Sequence, residues 1–460
     1  MKRPGPDNTP VQRATADRRR QPSFPLILAA GVLALAGLLL AFGLTVDAAQ
    51  FDDLGASDPT DVEGVDEAPW RAWDTTSIAS SSLWSPTDVT TGPEGQPYTT
   101  WGLGDARLAY PAPATDVQNR FETVTVSENP RAKAGGIAVQ NDGQVWATYK
   151  ANGDNDSHYE VYAATAMDPE GEWTRWQLGD PAASPRVAID NGGTVHVVFQ
   201  GDAEEVKHAT YTPAQGWEQE TIERVRPTGT TDLEIAYEAG RLHVVWKESI
   251  LDNPDPDPGY AVKPLDDPDS GWVIDAVPQE PVSCDEEPGV GAAPDGSAWV
   301  SCRGNDGITA WHRTTDGTWS HEQVSDGSNI VPPRTQQGLD RYSAIAVDDD
   351  GVPHVVFNTL APVFFENDVT RPGQPQYAAR VDGDWTVETI DRDGQDNGRN
   401  PGIALDEAGR PHVSYVLANR IDPNPGHPCP GCGELNERHQ LRHAQPLATT
   451  LLGDLPTVPR

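Results

Sequence analysis

GIAVQNDGQVWATY (136–149), RVAIDNGGTVHVVF (186–199), AIAVDDDGVPHVVF (344–357) and GIALDEAGRPHVSY (402–415) are four versions of one pattern. Each sets a glycine-containing turn between two runs of apolar β-formers, which is the signature of a β-hairpin. Three further copies are DVTTGPEGQPYTTW (88–101), EIAYEAGRLHVVW (234–246) and GVGAAPDGSAWVSC (289–302). The turn glycines are Gly95, Gly143, Gly193, Gly240, Gly296, Gly351 and Gly409. Three residues after them stand Tyr98, Trp146, His196, His243, Trp299, His354 and His412.

A second hairpin follows each copy. It ends on an aromatic residue with an aliphatic one five positions later: Phe121/Val126, Trp173/Leu178, Trp217/Ile222, Trp272/Val277, Trp319/Val324 and Trp385/Ile390. The seventh repeat stops at HQLRHAQP (439–446) without such a pair. The missing piece stands at the other end of the repeats, where Trp73 and Ile78 carry the same spacing. A ring of sheets must close or leave an unpaired edge. Four strands per unit and a period of about 50 residues fit a β-propeller. The expectation is an all-β, seven-bladed propeller of four-stranded antiparallel blades over residues 70–446, closed by the N-terminal strand.

The copies resemble the exported propellers of the sialidase-like and BNR-repeat type. The Asp-box of that group, Ser-x-Asp-x-Gly-x-x-Trp, is not intact here; Thr315–Trp319 and Asp382–Trp385 are shortened versions of it. The resemblance implies a glycan-directed protein. In the catalytic members an arginine triad holds the substrate carboxylate and a tyrosine paired with a glutamate attacks. Tyr342, Glu286, Glu287 and Glu366 are of the required types, but no spacing selects among them.

Ahead of the repeats, residues 26–46 (LILAAGVLALAGLLLAFGLTV) carry no charge. As a helix they would span about 30 Å, the hydrocarbon thickness of a bilayer. Arg18, Arg19 and Arg20 precede them and Asp47, Asp52 and Asp53 follow. The positive-inside rule then places the tail 1–25 in the cytoplasm and the propeller outside. One transmembrane signal anchor is expected; the alternative is secretion after cleavage behind Ala48, in a small-residue context. Residues 47–69 read as an acidic linker and 447–460 as a C-terminal tail.

The chain of 460 residues has a formal net charge of -37, and residues 47–460 hold 27 basic and 68 acidic residues. Such a surface repels phosphate backbones, which excludes nucleic acid as a partner. Expected instead are a glycan or a cell-surface protein as ligand, the membrane as anchor, and a monomeric state. No cofactor is required. Calcium is the ion for which oxygen ligands alternate, at Asn152, Asp154 and Asp156, with a second acidic crowd at Asp252, Asp255 and Asp257.

Four cysteines in an exported chain favour disulfides, pairing Cys284 with Cys302 and Cys429 with Cys432. The second pair, flanked by His427 and His439, reads alternatively as a zinc site. The four histidines after the turn glycines occupy one repeat position shared with Trp and Tyr, so they read as parts of the blades.

The site itself is expected on the face carrying the loops between second and third strands. Those loops are long in blades four (247–259), six (358–376) and seven (416–438), and blade six holds Phe364, Phe365 and Glu366. Ten residues before the turn glycine stand Lys133, Glu286, Arg341 and Arg399, at the expected mouth of the central channel. Arginine and lysine gathered there would grip a carboxylate or sulfate. The leading expectation is therefore a binding propeller; the alternatives are a sialidase-like glycoside hydrolase or lyase acting on an acidic glycan, and a cell-envelope scaffold.

Overall fold

The computed structural model describes residues 73–81, 86–113, 120–127, 129–153, 158–202, 205–224, 230–248, 258–267, 270–282, 284, 286–304, 307–326, 343–359, 374–391, 396–418 and 439–447. All belong to one compact unit, Glu67–Arg460. The apolar segment 26–46, its flanking tail and linker, and residues 448–460 lie outside the described residues.

The described strands form seven antiparallel sheets. The chain opens on β1 (Trp73–Ser81). Blade 1 comprises β2 (Thr87–Thr91), β3 (Pro97–Trp101), β5 (Arg107–Pro111) and β6 (Phe121–Thr125); the two-residue β4 (Leu103–Gly104), between β3 and β5 in the chain, pairs instead with the first strand of blade 2. Blade 2 holds β7 (Ala132–Val139), β8 (Val145–Asn152), β9 (Tyr159–Ala166) and β10 (Thr174–Gly179). Blade 3 holds β11 (Ala183–Ile189), β12 (Val195–Gln200), β13 (Glu205–Thr212) and β14 (Gly216–Arg224). Blade 4 holds β15 (Thr230–Glu238), β16 (Arg241–Glu248), β17 (Gly259–Pro264) and β18 (Val273–Ala276). Blade 5 holds β19 (Glu286–Ala292), β20 (Ala298–Gly304), β21 (Gly307–Arg313) and β22 (Trp319–Asp326). Blade 6 holds β23 (Ser343–Val347), β24 (Pro353–Thr359), β25 (Gln374–Val381) and β26 (Asp384–Thr389). Blade 7 joins β27 (Asp396–Leu405), β28 (Pro411–Ala418) and β29 (His439–Pro446) to β1.

That last pairing closes the ring. Trp73 lies opposite Pro446 and Ser81 opposite His439, so the first strand is the outermost strand of the last blade. The orphaned Trp73–Ile78 spacing is thus explained by pairing.

The turns follow from the glycines. All seven predicted turn glycines have φ between 70° and 89°, a region that side chains avoid. In six blades the glycine N–H bonds the carbonyl three residues back, as Gly143 does to Gln140 at 2.9 Å. Blade 4 differs because its turn is one residue shorter. Ala239 (φ 49°) and Gly240 (φ 73°) form a two-residue turn with Glu238 facing Arg241.

Seven buried apolar clusters fill the seven spaces between adjacent blades. The cluster between blades 2 and 3, for instance, joins Trp146, Val161 and Leu178 to Val187, Val197 and Phe199. The closing space between blades 7 and 1 has the smallest buried set, Trp101, Ala109 and Leu441, with Ile78, Ala79 and Phe121 partly buried around it.

Four successive interfaces carry a polar clip outside this core. An acid on the outer strand of one blade accepts the indole N–H of the next blade's tryptophan. The pairs are Glu220 with Trp272 (3.0 Å), Asp275 with Trp319 (3.1 Å), Glu322 with Trp385 (3.0 Å) and Glu388 with Trp73 (3.2 Å). In the first three a cation joins the acid: Lys263 at 2.6 Å, Arg313 at 3.0 Å and Arg380 at 2.7 Å. The acid always stands three residues after its own blade's tryptophan. Blade 2 has Trp176 there instead. The indole N–H of Trp217 in blade 3 is then buried without a partner, and Trp146, Trp176, Tyr211 and Trp217 pack as an aromatic group.

The Cys284–Cys302 disulfide is present, with Cα atoms 5.3 Å apart. It ties the segment entering blade 5 to β20, and both cysteines are buried. Cys429 and Cys432 lie outside the described residues.

Candidate functional site

The first strands of all seven blades line one central cavity of about 340 Å³. Their N-terminal ends share the top face with the loops between second and third strands. Seven residues before the turn glycine (six in blade 4) a ring position recurs: Asp88, Gly136, Arg186, Glu234, Gly289, Ala344 and Gly402. Small residues dominate because adjacent first strands nearly touch; a Cβ on Gly136 would stand 2.8 Å from the Val187 amide nitrogen. Three blades break the rule with charge. Arg186 Nε lies 2.6 Å from Glu234 Oε1, with both side chains largely buried. Asp88 accepts the N–H groups of Val89 (3.0 Å) and Ile137 (3.1 Å). Asp88, Arg186 and Glu234 all line the cavity. The sequence reading passed over them, although the same repeat alignment marks them as exceptions at a position reserved for Gly or Ala.

At the rim, Lys133 is the second residue of β7 and faces Lys150 across the β7–β8 ladder. Like charges in direct opposition repel. Here both ammonium groups lie near one aromatic ring: Nζ of Lys133 is 5.4 Å and Nζ of Lys150 is 5.0 Å from the centre of Tyr159. The ring's negative face stabilises both. All three side chains are half-buried. Lys150 and Tyr159 carry no mark in the sequence reading, which singled out Lys133 alone.

The other rim residues divide. Glu286 begins β19 opposite Arg303, and Arg399 lies in β27 opposite Val416. Their backbones therefore hold the rim position equivalent to Lys133 on blades 5 and 7, while their side chains lie outside the described residues. Arg303 itself is buried. Arg341, Phe364, Phe365 and Glu366 lie outside the described residues. So do Asp154 and Asp156; of that calcium set, Asn152 ends β8 and its carbonyl accepts Asn129 Nδ2 at 3.2 Å.

The four post-turn histidines stand in four separate blades, and each is bonded within its own sheet. His196 Nδ1 lies 3.0 Å from His208 Nε2, and His208 Nδ1 lies 2.8 Å from Glu220. His243 and His354 meet the hydroxyls of Tyr260 and Tyr377 at 2.5 Å. His412 meets His443 at 3.1 Å. Burial pushes His208 down to about 4, and His243 and His443 to about 3. These three are neutral structural imidazoles, and the equivalent post-turn positions do not gather their histidines at one point.

No protein-family model matches the chain, and no curated protein matches it. Several solved structures are similar to the chain. A catalytically inactive virginiamycin B lyase from Staphylococcus aureus is 12% identical, with 82% of this chain and 100% of that one covered and a TM-score of 0.47. The polysaccharide lyase Uly1 is 10% identical over 80% and 91% of the two chains, with a TM-score of 0.48. The fucose-specific lectin from Aleuria aurantia is 14% identical over 57% and 83%, with a TM-score of 0.39. Similarities at this level carry no argument about ligand or activity.

Proposed function

We propose that this chain is a membrane-anchored, extracytoplasmic propeller that binds an acidic glycan on its top face. The observation that carries the reading is the Lys133–Lys150 pair set against Tyr159. In a chain of net charge -37 with six lysines, two of them share one ring at the channel rim. Two ammonium groups suit a carboxylate or sulfate, and an aromatic face beside them suits the apolar side of a sugar ring. The cavity beyond the rim adds Arg186, held by Glu234. The rim positions of Arg341 and Arg399 and the loops of blades 4, 6 and 7 would extend this surface. Anchoring through residues 26–46 and a monomeric state complete the proposal.

Glycan arrays of uronic-acid, sialylated and sulfated oligosaccharides, screened with the purified protein, test it directly. Binding should favour acidic glycans and fall at least tenfold in the Lys133→Ala/Lys150→Ala variant, roughly the loss of one charge-assisted contact. Retained binding in that variant rejects the rim as the site. Turnover of acidic chromogenic glycosides, abolished by Arg399→Ala, would replace the binding role with the sialidase-like one.

A further inference from the structure

At the same end of blade 2, on the side of the sheet opposite Tyr159, three metal-ligating side chains meet. His158 immediately precedes β9, Glu160 is its second residue, and Asp180 directly follows β10. Residues two apart on a strand share a face. Gly179 pairs with Val161 across the β9–β10 ladder, which brings Asp180 alongside Glu160. One donor atom from each of the three lies within 4.8 Å of the other two, the one such group among the described residues. His158 Nε2 is 2.6 Å from Asp180 Oδ1.

A second observation concerns the space beside the imidazole. Gly153 donates its N–H to the His158 carbonyl at 3.0 Å, which fixes the two residues against each other. A Cβ on Gly153 would stand 2.5 Å from His158 Nε2. A side chain there would press on this nitrogen, whose partner is Asp180, unless the imidazole moved. The carboxylate of Glu160 is held by the Tyr162 hydroxyl, in the manner of an outer-shell partner that orients a ligand. The Tyr159 carbonyl accepts the Ala182 N–H at 2.7 Å, so the two strand ends carrying the donors are tied together.

We infer that His158, Glu160 and Asp180 form a binding site for a divalent transition-metal ion of the zinc type. One imidazole nitrogen and two carboxylate oxygens match zinc, cobalt or manganese; calcium and magnesium take oxygen sets. Bond lengths of about 2.0–2.2 Å require the donors to stand roughly 3 Å apart, a small opening of the present His158–Asp180 contact. His158 and Glu160 are half-buried and Asp180 is exposed, so an ion can enter and retain water at its remaining positions. The site stands on its own donors and does not depend on the glycan reading.

The test uses the full-length protein in detergent, stripped with EDTA, in a Cys429→Ser/Cys432→Ser background that removes the other thiolate ligands. Zinc chloride is titrated calorimetrically, and cobalt chloride is followed by its visible absorption. One zinc ion per chain should bind. His158→Ala and Glu160→Gln should each weaken it on the order of a hundredfold, and Tyr162→Phe by roughly tenfold. Gly153→Ala, which alters no ligand, should also weaken it at least tenfold, roughly the cost of one obstructed metal bond. Tryptophan emission and thermal midpoints in EDTA identify any variant that fails to fold, in which case Gly153→Ala decides. Unchanged zinc affinity in Gly153→Ala and in the folded ligand variants overturns the site, and equal affinity for calcium chloride overturns the transition-metal assignment.

Discussion

Acidification should destabilise this propeller well above the pH at which carboxylates titrate, because three of its buried histidines are held neutral. Burial is the first cause for all three of the most shifted. His208 is held near 4, even though Glu220 bonds it, and His243 and His443 near 3. In the unfolded chain each returns to about 6.5. Between pH 6.5 and 4 the unfolded state therefore binds more protons than the folded one. The stabilising effect is fully present above pH 6.5 and is lost as pH falls through that window. Each histidine contributes a slope of about 1.4 kcal/mol per pH unit, so the three together give about 4 kcal/mol per unit. From pH 7.5 to 5 the loss is about 6 kcal/mol, comparable with the whole stability of an ordinary domain. Urea unfolding of residues 67–460, followed by tryptophan emission at intervals of pH, measures it. His243→Gln should lower the slope by about 1.4 kcal/mol per unit, and His243→Gln/His443→Gln by about twice that. A parent stability that is flat or rises on acidification between pH 6.5 and 5 would refute the reasoning. So would a slope that the substitutions leave intact.

The interface clips and the ring closure give two further expectations. Asp275→Asn should leave the nearly buried Arg313 without its charge partner while keeping a group for Trp319 to bond. Because Asp275 is about one-third exposed, a loss of about 2 kcal/mol is expected, below that of a fully buried pair; an unchanged thermal midpoint would contradict it. Trp73→Ala removes the edge-on contact with Tyr377 at 5.1 Å and the bond to Glu388, at a cost of about 2–3 kcal/mol for a partly buried ring. Limited proteolysis should then cut between Ser81 and Thr87 more readily than in the parent, and unaltered protection would show that β1 does not depend on this anchor.

What could be read from the sequence was what the backbone requires of particular residue types. A turn with φ near 80° needs glycine, so seven glycines at one spacing announce seven hairpins. A half-repeat without a partner announces its pairing, because an open edge is costly. The histidines were legible as scaffold because tryptophan replaces them at the same position. The clips were not: an acid three residues after a tryptophan is unremarkable in a chain with 70 acids, until the next blade's indole is seen against it. Zinc ligands from two strand ends were equally silent, since His158 and Asp180 are far apart in sequence and only the ladder joins them.

The rim pair shows the limit most sharply. Counting outward from the Gly143 turn, the hairpin register set by Ile137 opposite Ala147 would place Lys133 opposite Ala151 and put Lys133 and Lys150 on opposite faces. The register slips between Ala134 and Ile137, and that β-bulge turns Lys133 to face Lys150. Matching slips occur between Ala183 and Arg186 in blade 3, between Glu286 and Gly289 in blade 5, and on either side of Arg399 in blade 7. The bulge is thus a repeated device at the top of the first strand, and it exchanges which face the rim residues present. A side chain ten residues before the turn glycine cannot be assigned a neighbour by alternation. It needs the bulge, whose four copies hold Gly135, Pro185, Pro288 and Pro401 at one repeat position, residue types that interrupt a strand.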